Sequence, residues 1–303
     1  MRKFGLDSAY RFLRSPSREK KTMARDVWRQ HQEDRRGRKW EALLRSDDKY
    51  VFSDVKERYL VRISDDDIGE LIYIYGEIEF GKVDLCLKIL GRDKVRSFVD
   101  IGMNVGQLII PGLVRGVFES GIGIEPDPVN FGISAINADL NGVSQYIQLH
   151  HCAVSDGSQD RVLLALAEKQ FGDHRIWNGS QELGHRRTIS VPARRLDDFV
   201  CEPDPATDLV WIDVQGSEVA VLRGATAVTA KSVPICLELW PEGIQASGES
   251  VNSFREVTAA YGRFVNLDRP EDGPRDMAEI ESLWQSLLGD GYDRDYVDVL
   301  LLA

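Results

Sequence analysis

Cysteine is scarce and scattered: four in 303 residues, at Cys86, Cys152, Cys201 and Cys236, with no C-x-x-C pair. With no secretory pattern at the N-terminus, that usage predicts free thiols in a reducing, cytoplasmic setting. No apolar run approaches the roughly 20 residues of a membrane span. Positive charge is in deficit, with 38 Lys and Arg against 49 Asp and Glu and a net charge of −11, which argues against a general nucleic-acid binder. Phosphate-binding glycine signatures are missing too. A dinucleotide fingerprint G-x-G-x-x-G begun at Gly102 finds Asn104 and Gln107 where glycine is needed. No G-K-[ST] follows Gly106, so there is no P-loop. Nor is there an N-P-P-Y-like tetrapeptide of the kind that receives a nucleobase amine.

The composition itself, 43% hydrophobic and 29% charged, is that of a globular α/β chain. Basic residues crowd the first forty-five positions, among them Arg11, Arg14, Arg18, Lys20, Lys21, Arg25 and Arg29. This arm reads as a solvated, partly helical leader anchored by Trp28, Trp40, Leu43 and Leu44. Residues 49–64 alternate and predict a strand pair, and 79–91 predict a helix closed by Gly91. From Arg96 onward short apolar strands alternate with helical patterns: RSFVDIG, GIGIE, YIQLHHCAV, DLVWIDV and VPICLELW are strands. The helix after the first of these should be short or kinked, because Pro111 falls inside it. The next should open at Asp127 with Pro128 in first position and close near Asn141 and Gly142. SEVAVLRGATAVTA reads as one helix, and FVNLD, MAEIESLWQSLLG and YVDVLLL complete the pattern. Near-continuous apolar strands alternating with helices mean a mainly parallel sheet covered on both faces. Two parts follow: an N-terminal extension over 1–95, helical and then a strand pair and helix, and a core over 96–303.

Ligands of such sheets bind beyond the carboxyl ends of the strands. Those ends carry Asp100, Glu125, Ala153 to Asp156, Asp213 and Glu238. A structural protein has little reason to gather carboxylates at one edge, where they repel one another. The remaining motif, D-x-G-x-N-x-G followed by an acidic strand end, fits a nucleoside ligand that lacks phosphate. Gly102 would let the chain approach an amino-acid moiety, the two oxygens of Glu125 can accept vicinal ribose hydroxyls, and Asp100 suits an ammonium or sulfonium group.

Taken in order, VDIGMNVGQ, GIEPDPVNF, LNGV, HHCAVSD, RRLDDF, DLVWIDVQGSEVAVLRGA and ICLELW resemble the FkbM-type methyltransferases over roughly residues 96–240. The resemblance implies a class I, Rossmann-like methyltransferase fold with a seven-stranded sheet, and S-adenosylmethionine (SAM) as cofactor. It implies that Asp100, Gly102, Asn104 and Gly106 hold the methionine part, that Glu125 with Pro126 binds the ribose, and that Ala153, Val154 and Asp156 frame the adenine. Asp213 would sit beside the methyl group. Two positions depart from the family pattern: Met103 replaces a small residue, and Gln215 replaces an acidic one. Named members are mostly O-methyltransferases of sugars, polyketides and other metabolites.

The expected function is therefore SAM-dependent O-methylation of a small metabolite, sugar or glycan. The alternatives are N-methylation, or a non-catalytic SAM-binding scaffold. An alcohol acceptor must lose a proton, so a base is useful; Asp213, Glu238 and Glu218 are the candidates, although Glu218 at a helix start can equally serve backbone donors. A divalent metal is the less favoured alternative, because no further ligand cluster is visible. His150 and His151 are strand neighbours and face opposite ways. His174 and His185 lie in a poorly patterned stretch that should cover the site; either could act as a base near neutral pH, and the favoured reading is a surface residue for both. Asp197 and Asp198 read as a helix-start pair, and Trp177 and Trp240 either line an acceptor pocket or pack. The acceptor pocket itself should come from 1–95, 157–186 and 241–250.

Overall fold

The computed structural model describes residues 17–65, 67–179, 184–289 and 295–303; Arg11 and Arg14 of the basic arm lie outside them. The N-terminal part is a long helix α1 (Ser17–Leu43), the antiparallel pair β1 (Tyr50–Ser53) and β2 (Tyr59–Arg62), and helices α2 (Ile68–Tyr75) and α3 (Phe80–Leu90). Helix α3 ends as expected, with Gly91 in the left-handed region. Of the expected anchors in this segment, Trp40 is fully buried while Trp28 and Leu44 are exposed.

Strand β3 (Val95–Ile101) then leads through a turn to the six-residue α4 (Ile109–Val114), short as Pro111 requires. Next come β4 (Phe118–Ile124) and α5 (Pro128–Leu140). Asp127 caps α5 by accepting the amide of Asn130, with Pro128 in the first turn. The expected strand YIQLHHCAV divides. Its first half is β5 (Ile147–His150) in the main sheet; its second half is β6 (Ala153–Val154) in another. That other sheet, not foreseen, contains β7 (Arg161–Leu166), β8 (Arg175–Trp177) and β9 (Arg187–Arg194) in the order β6-β9-β7-β8.

The chain returns to the main sheet with β10 (Asp208–Ile212), followed by α6 (Glu218–Arg223) and α7 (Thr226–Ala230). The sequence predicts a single helix here. It breaks at Gly224 and Ala225, and the backbone of Gly224 passes so close to Ser155 that a β-carbon would overlap its carbonyl oxygen. Asp197 restarts the helix by accepting the amides of Thr226 and Ala227 at 3.1 and 2.9 Å. Asp197 is thus a helix-start device for a helix some thirty residues away, while Asp198 caps the short helical turn Leu196–Asp198 by accepting the amide of Arg195 at 3.2 Å. Asp197→Ala is expected to cost about 1–2 kcal/mol by chemical denaturation, the worth of a lost cap; a change within the scatter of ordinary surface substitutions would show that α7 stands without it.

Strand β11 (Ile235–Leu239), helices α8 (Pro241–Ala246) and α9 (Val251–Val257), β12 (Arg263–Asn266), the two-residue β13 (Arg275–Asp276), α10 (Ile280–Leu288) and β14 (Val297–Leu302) complete the chain. The main sheet runs β13-β12-β14-β11-β10-β3-β4-β5. It has eight strands, the expected seven plus the short β13. Strands β5, β4, β3, β10 and β11 are parallel, whereas β14 runs antiparallel to both β11 and β12. Strand order reverses at β3, whose neighbours are β4 on one side and β10 on the other, so the crevice of such a sheet lies beyond the ends of β3 and β10.

Alternation along each strand divides the core in two. Val99, Ile101, Val210, Ile212, Ile235 and Leu237 pack toward α6–α10, with Phe254 and Trp284 opposite. Phe98, Leu209, Trp211 and Cys236 pack on the other face, against Trp40, Tyr59, Ile72, Phe80 and Val83 of the N-terminal part. That part is also fastened by two asparagines of α5. Asn137 exchanges hydrogen bonds with the backbone of Leu60, and Asn141 with that of Arg58, as a neighbouring strand would.

Candidate active site

The turn after β3 is shaped by contact between strand ends. Gly102 has φ +85°, and a β-carbon there would overlap the carbonyl oxygen of Asp213 at the end of β10. The approach of two strands is therefore by itself sufficient to require glycine here. Two residues on, Asn104 is left-handed at φ 50°. Its amide donates to Glu125 Oε2 at 2.9 Å, while the amide of Asp127 donates to Oε1 at 2.8 Å. The Glu125 carboxylate therefore ties the β3 turn to the start of α5 and keeps further acceptor capacity on each oxygen. Burial, foremost, pushes its pKa up to about 8, against the pull of those two amides.

A cavity opens beside this carboxylate. Gly102, Asn104, Glu125, Pro126, Ala153, Val154 and Asp213 line it, so seven of the twelve residues singled out from the sequence come together there. Ile101, Ile124, Leu164 and Ile176 give the wall an apolar flank. Asn104 Oδ1 is buried and has no hydrogen-bond partner in the structure.

Glu238 lines the second cavity described below, and the other four singled-out residues stand apart for separable reasons. Gly106 faces Ile110 rather than the cavity. Asp156 turns its own loop by accepting the amide of Ser158 at 2.9 Å. Glu218 is fully buried, accepts the amides of Val214 and Gly216 at 3.4 and 3.3 Å, and leaves Oε2 without a partner. Asp100 lies behind the turn, 2% exposed, with Oδ2 unpartnered. Its pKa is raised to about 8, first by burial and then by the charge of Asp213, and the amide of Ile109 opposes the rise.

This last feature predicts a pH dependence. An unfolded aspartate sheds its proton near pH ~4, whereas folded Asp100 keeps it up to about pH 8. The unfolded state then binds fewer protons, so stability is full below pH ~4 and is lost as pH rises through the folded value. Asp100→Asn cannot titrate, and it should gain at least about 1 kcal/mol over the native chain at pH ~8.5 relative to pH ~4 in denaturant unfolding. A difference that stays constant with pH would show that the buried charge is not the cause.

A strap from the second sheet covers the cavity. Phe171, Gly172, His174 and Ile176 line it. The carbonyl of Phe171 accepts Nδ2 of Asn104 at 3.2 Å and of Asn130 at 3.0 Å, and Arg62 lies 4.1 Å from the centre of its ring. His174 is not the surface residue expected: its side chain is 6% exposed, and Nδ1 accepts the amide of Ala167 at 3.0 Å. Burial lowers its pKa, so it is a neutral wall residue. His185 is exposed. His150 packs on Phe199 and His151 on Phe131, in keeping with their opposite directions. No periodicity in 167–177 marks the strap, because its position depends on a sheet the sequence did not announce.

A second, wider cavity adjoins the first and shares Gly172, Asp213 and Gln215 with it. Its rim comes from the N-terminal part (Asp67, Ile68, Leu71, Ile78, Glu79), from the strap (Gln170, Asp173, Arg175), and from Glu238, Trp240, Asp295 and Tyr296. Arg175 sits 4.4 Å from the Trp240 ring centre, and Trp240 Nε1 donates to Asp295 at 2.9 Å. Within this space Gln215 Nε2 donates to Asp213 Oδ1 at 2.7 Å and to Glu238 Oε2 at 3.3 Å. Burial, followed by the charge of Glu79, raises Asp213 to about 7. Burial and then Asp213 raise Glu238 to about 10. Lys82 is committed to Glu79 and Asp298. Among the described residues no group of three or more His, Cys, Asp and Glu is arranged to hold a metal ion, and no helix is long and apolar enough to cross a membrane.

Residues 100–254, just over half of the chain, match the model of the methyltransferase FkbM domain. No curated protein sequence matches the chain significantly. Among solved structures, a methyltransferase FkbM from Methylobacillus flagellatus is 16% identical, with a TM-score of 0.39 over 69% of this chain and 44% of that one; the chain spans less than half of that protein's length. A tRNA (uracil-54, C5)-methyltransferase from Pyrococcus abyssi, in complex with S-adenosylhomocysteine, is 11% identical, with a TM-score of 0.40 over 85% of this chain and 45% of that one. A geranyl diphosphate C-methyltransferase from Streptomyces coelicolor is 11% identical, with a TM-score of 0.40 over 89% of this chain and 96% of that one. The last two are named for different acceptors, a tRNA uracil and geranyl diphosphate. The fold is that of a class I methyltransferase, and the chain belongs to the FkbM methyltransferase family.

Proposed function

We propose that the chain transfers a methyl group from SAM to a hydroxyl oxygen of a small polyhydroxylated metabolite, sugar or glycan. The observation that carries this reading is the shared wall. Asp213 stands between a narrow cavity that suits a nucleoside and a wider one open to an acceptor.

The residues of the narrow cavity fit SAM. Glu125 retains acceptor capacity at a buried strand end, Asn104 presents an orphaned oxygen, and Ile124, Val154 and Ile176 offer apolar surface to a base. Glu125 with Pro126 would hold the ribose, Gly102 and Asn104 the amino-acid end, and Ala153 and Val154 the adenine. Asp100, Gly106 and Asp156 would act by shaping the turns around that pocket. Bound SAM supplies a methyl carbon on a cationic sulfur, and the sulfur keeps the bonding pair when the acceptor oxygen takes the carbon.

This chain's own work is orientation and proton removal. The wide cavity would align the acceptor oxygen with the shared wall, which is where proximity contributes most to the rate. Asp213, held near neutrality by burial, takes the hydroxyl proton as the oxygen attacks. Glu238, raised to about 10, is protonated at neutral pH and can donate a hydrogen bond to the acceptor. Glu218 would serve as a brace for the turn, since both of its bonded donors are backbone amides. The strap, with Phe171 and His174, keeps water from the narrow cavity.

The acidic rim repels phosphates, which disfavours a nucleic-acid acceptor. The same rim favours cations, so an amine acceptor is the second reading. Free thiols at Cys86, Cys152, Cys201 and Cys236 accord with a reducing compartment. Titration calorimetry with SAM is the first test: absence of binding by SAM and by S-adenosylhomocysteine would end the reading. Transfer of radiolabelled methyl to matched hydroxyl and amine acceptors then separates O- from N-methylation.

A further inference from the structure

One carboxamide joins the two acids at the shared wall, and its place is fixed from several directions. Gln215 is left-handed at φ 54°, and Gly216 follows at φ 98°. Gly216 lies so close to Gly243 of α8 that a β-carbon would collide with its backbone. On the other side, Glu218 Oε1 accepts the amides of Val214 and Gly216. A clamped turn leaves the Gln215 side chain little choice of direction. Its nitrogen carries two hydrogens and faces both carboxyls. The bonds are unequal, 2.7 Å to Asp213 and 3.3 Å to Glu238.

The surroundings make that inequality matter. Asp213 is faced by Asp100 from β3, by Glu79 and Lys82 from the start of α3, by Glu218 from α6, by Glu238 from β11 and by Asp298 from β14. Lys82 is occupied by Glu79 and Asp298. Gln215 donates directly to the Asp213 carboxylate.

We propose that Gln215 is a positioning residue that allots the proton between the two acids: the short bond keeps Asp213 ionised as the acceptor of the substrate's proton, and the longer bond leaves Glu238 carrying its own. This rests on the methyl-transfer reading for its purpose, but not for its test. The hydroxyl proton passes to Asp213 as the acceptor oxygen forms its new bond, and leaves to solvent through the wide cavity. The directions of the two pKa shifts agree, with Asp213 the more acidic of the pair and the Gln215 bond lowering it.

Carboxyl 13C NMR titration of the full chain, labelled at Asp and Glu, tests the allotment. Asp213→Asn and Glu238→Gln assign the two resonances. In the native chain Asp213 should lose its proton before Glu238, and at pH ~8.5 the first should be ionised and the second protonated. Gln215→Met keeps the length and removes the donor. Its Asp213 midpoint should rise by about one pH unit or more. An Asp213 midpoint that does not move in Gln215→Met overturns the proposal. If that variant fails to fold, the native titration still decides, since Glu238 ionising before Asp213 overturns it equally. Failure of the native chain to bind SAM would instead remove the methyl-transfer reading and leave the NMR result standing.

Discussion

Glu125→Ala is expected to weaken SAM binding by about 100- to 1000-fold in titration calorimetry, the cost of truncating one partner in a buried hydrogen-bonded contact. The substitution removes the acceptor proposed for the ribose. It also strips the partner from the amides of Asn104 and Asp127, both of which bond this carboxylate. Those amides belong to the β3 turn and the start of α5, so the two walls of the narrow cavity lose their tie. A pH signature accompanies the loss. Glu125 is raised to about 8, and a protonated acid is a poorer acceptor for two hydroxyls than a carboxylate. In the native chain SAM affinity should therefore increase from pH ~6.5 to ~8.5, and in Glu125→Ala this dependence should be gone. Affinity within a few-fold of the native value would remove Glu125 from the cofactor site.

Asp213→Asn should lower methyl transfer by about 10³-fold or more, within the range for loss of a positioned general base, with SAM affinity nearly unchanged. Asparagine keeps the shape of the side chain and its contact with Gln215, and it cannot take a proton. The acid limb of the native rate profile should lie near the value of about 7 that burial gives this carboxyl. The limb should vanish in the variant. Measuring single-turnover transfer beside calorimetry separates the two effects. Equal losses in binding and turnover would mean that Asp213 holds the cofactor rather than the proton.

The sequence made the narrow cavity partly legible because strand ends can be read locally. An apolar run that stops at Ile101 or Ile124 must leave the sheet there, and the residues just past it face the crevice by topology. Glu125 and Asp213 are legible in this way, whereas Gly102 and Asn104 come from the D-x-G-x-N-x-G motif and the family resemblance. The local rule fails where the next residue turns under instead of over. Asp100, near the end of β3, lies behind the turn, and Gly106 within it packs against Ile110. Glu218 went the same way, its carboxylate taken up by the amides of its own turn. Asp156, also past a strand end, spends its carboxylate on Ser158 within the loop.

The wide cavity was anticipated only as a set of segments. Residues 1–95 and 157–186 supply much of its rim, whereas 241–250 supply none, and Trp240, Asp295 and Tyr296 take that place. His174 misled for the same reason that β7 and β8 did. Their pattern of burial depends on a second sheet whose partners, β6 and β9, are separated by more than thirty residues.

The sequence by itself determined the alternation of strand and helix, the caps at Asp127 and Gly91, the failure of both phosphate motifs and the carboxylates at the strand ends. Each of these follows from neighbours a few residues apart, where hydrogen-bond spacing and side-chain alternation leave few choices. Only the tertiary structure decided that Gly102 is needed by Asp213, that Phe171 closes the narrow cavity, and that Gln215 joins Asp213 to Glu238. Those contacts bring together residues from different strands and sheets, and no local pattern records a distance that the packing of the whole chain sets.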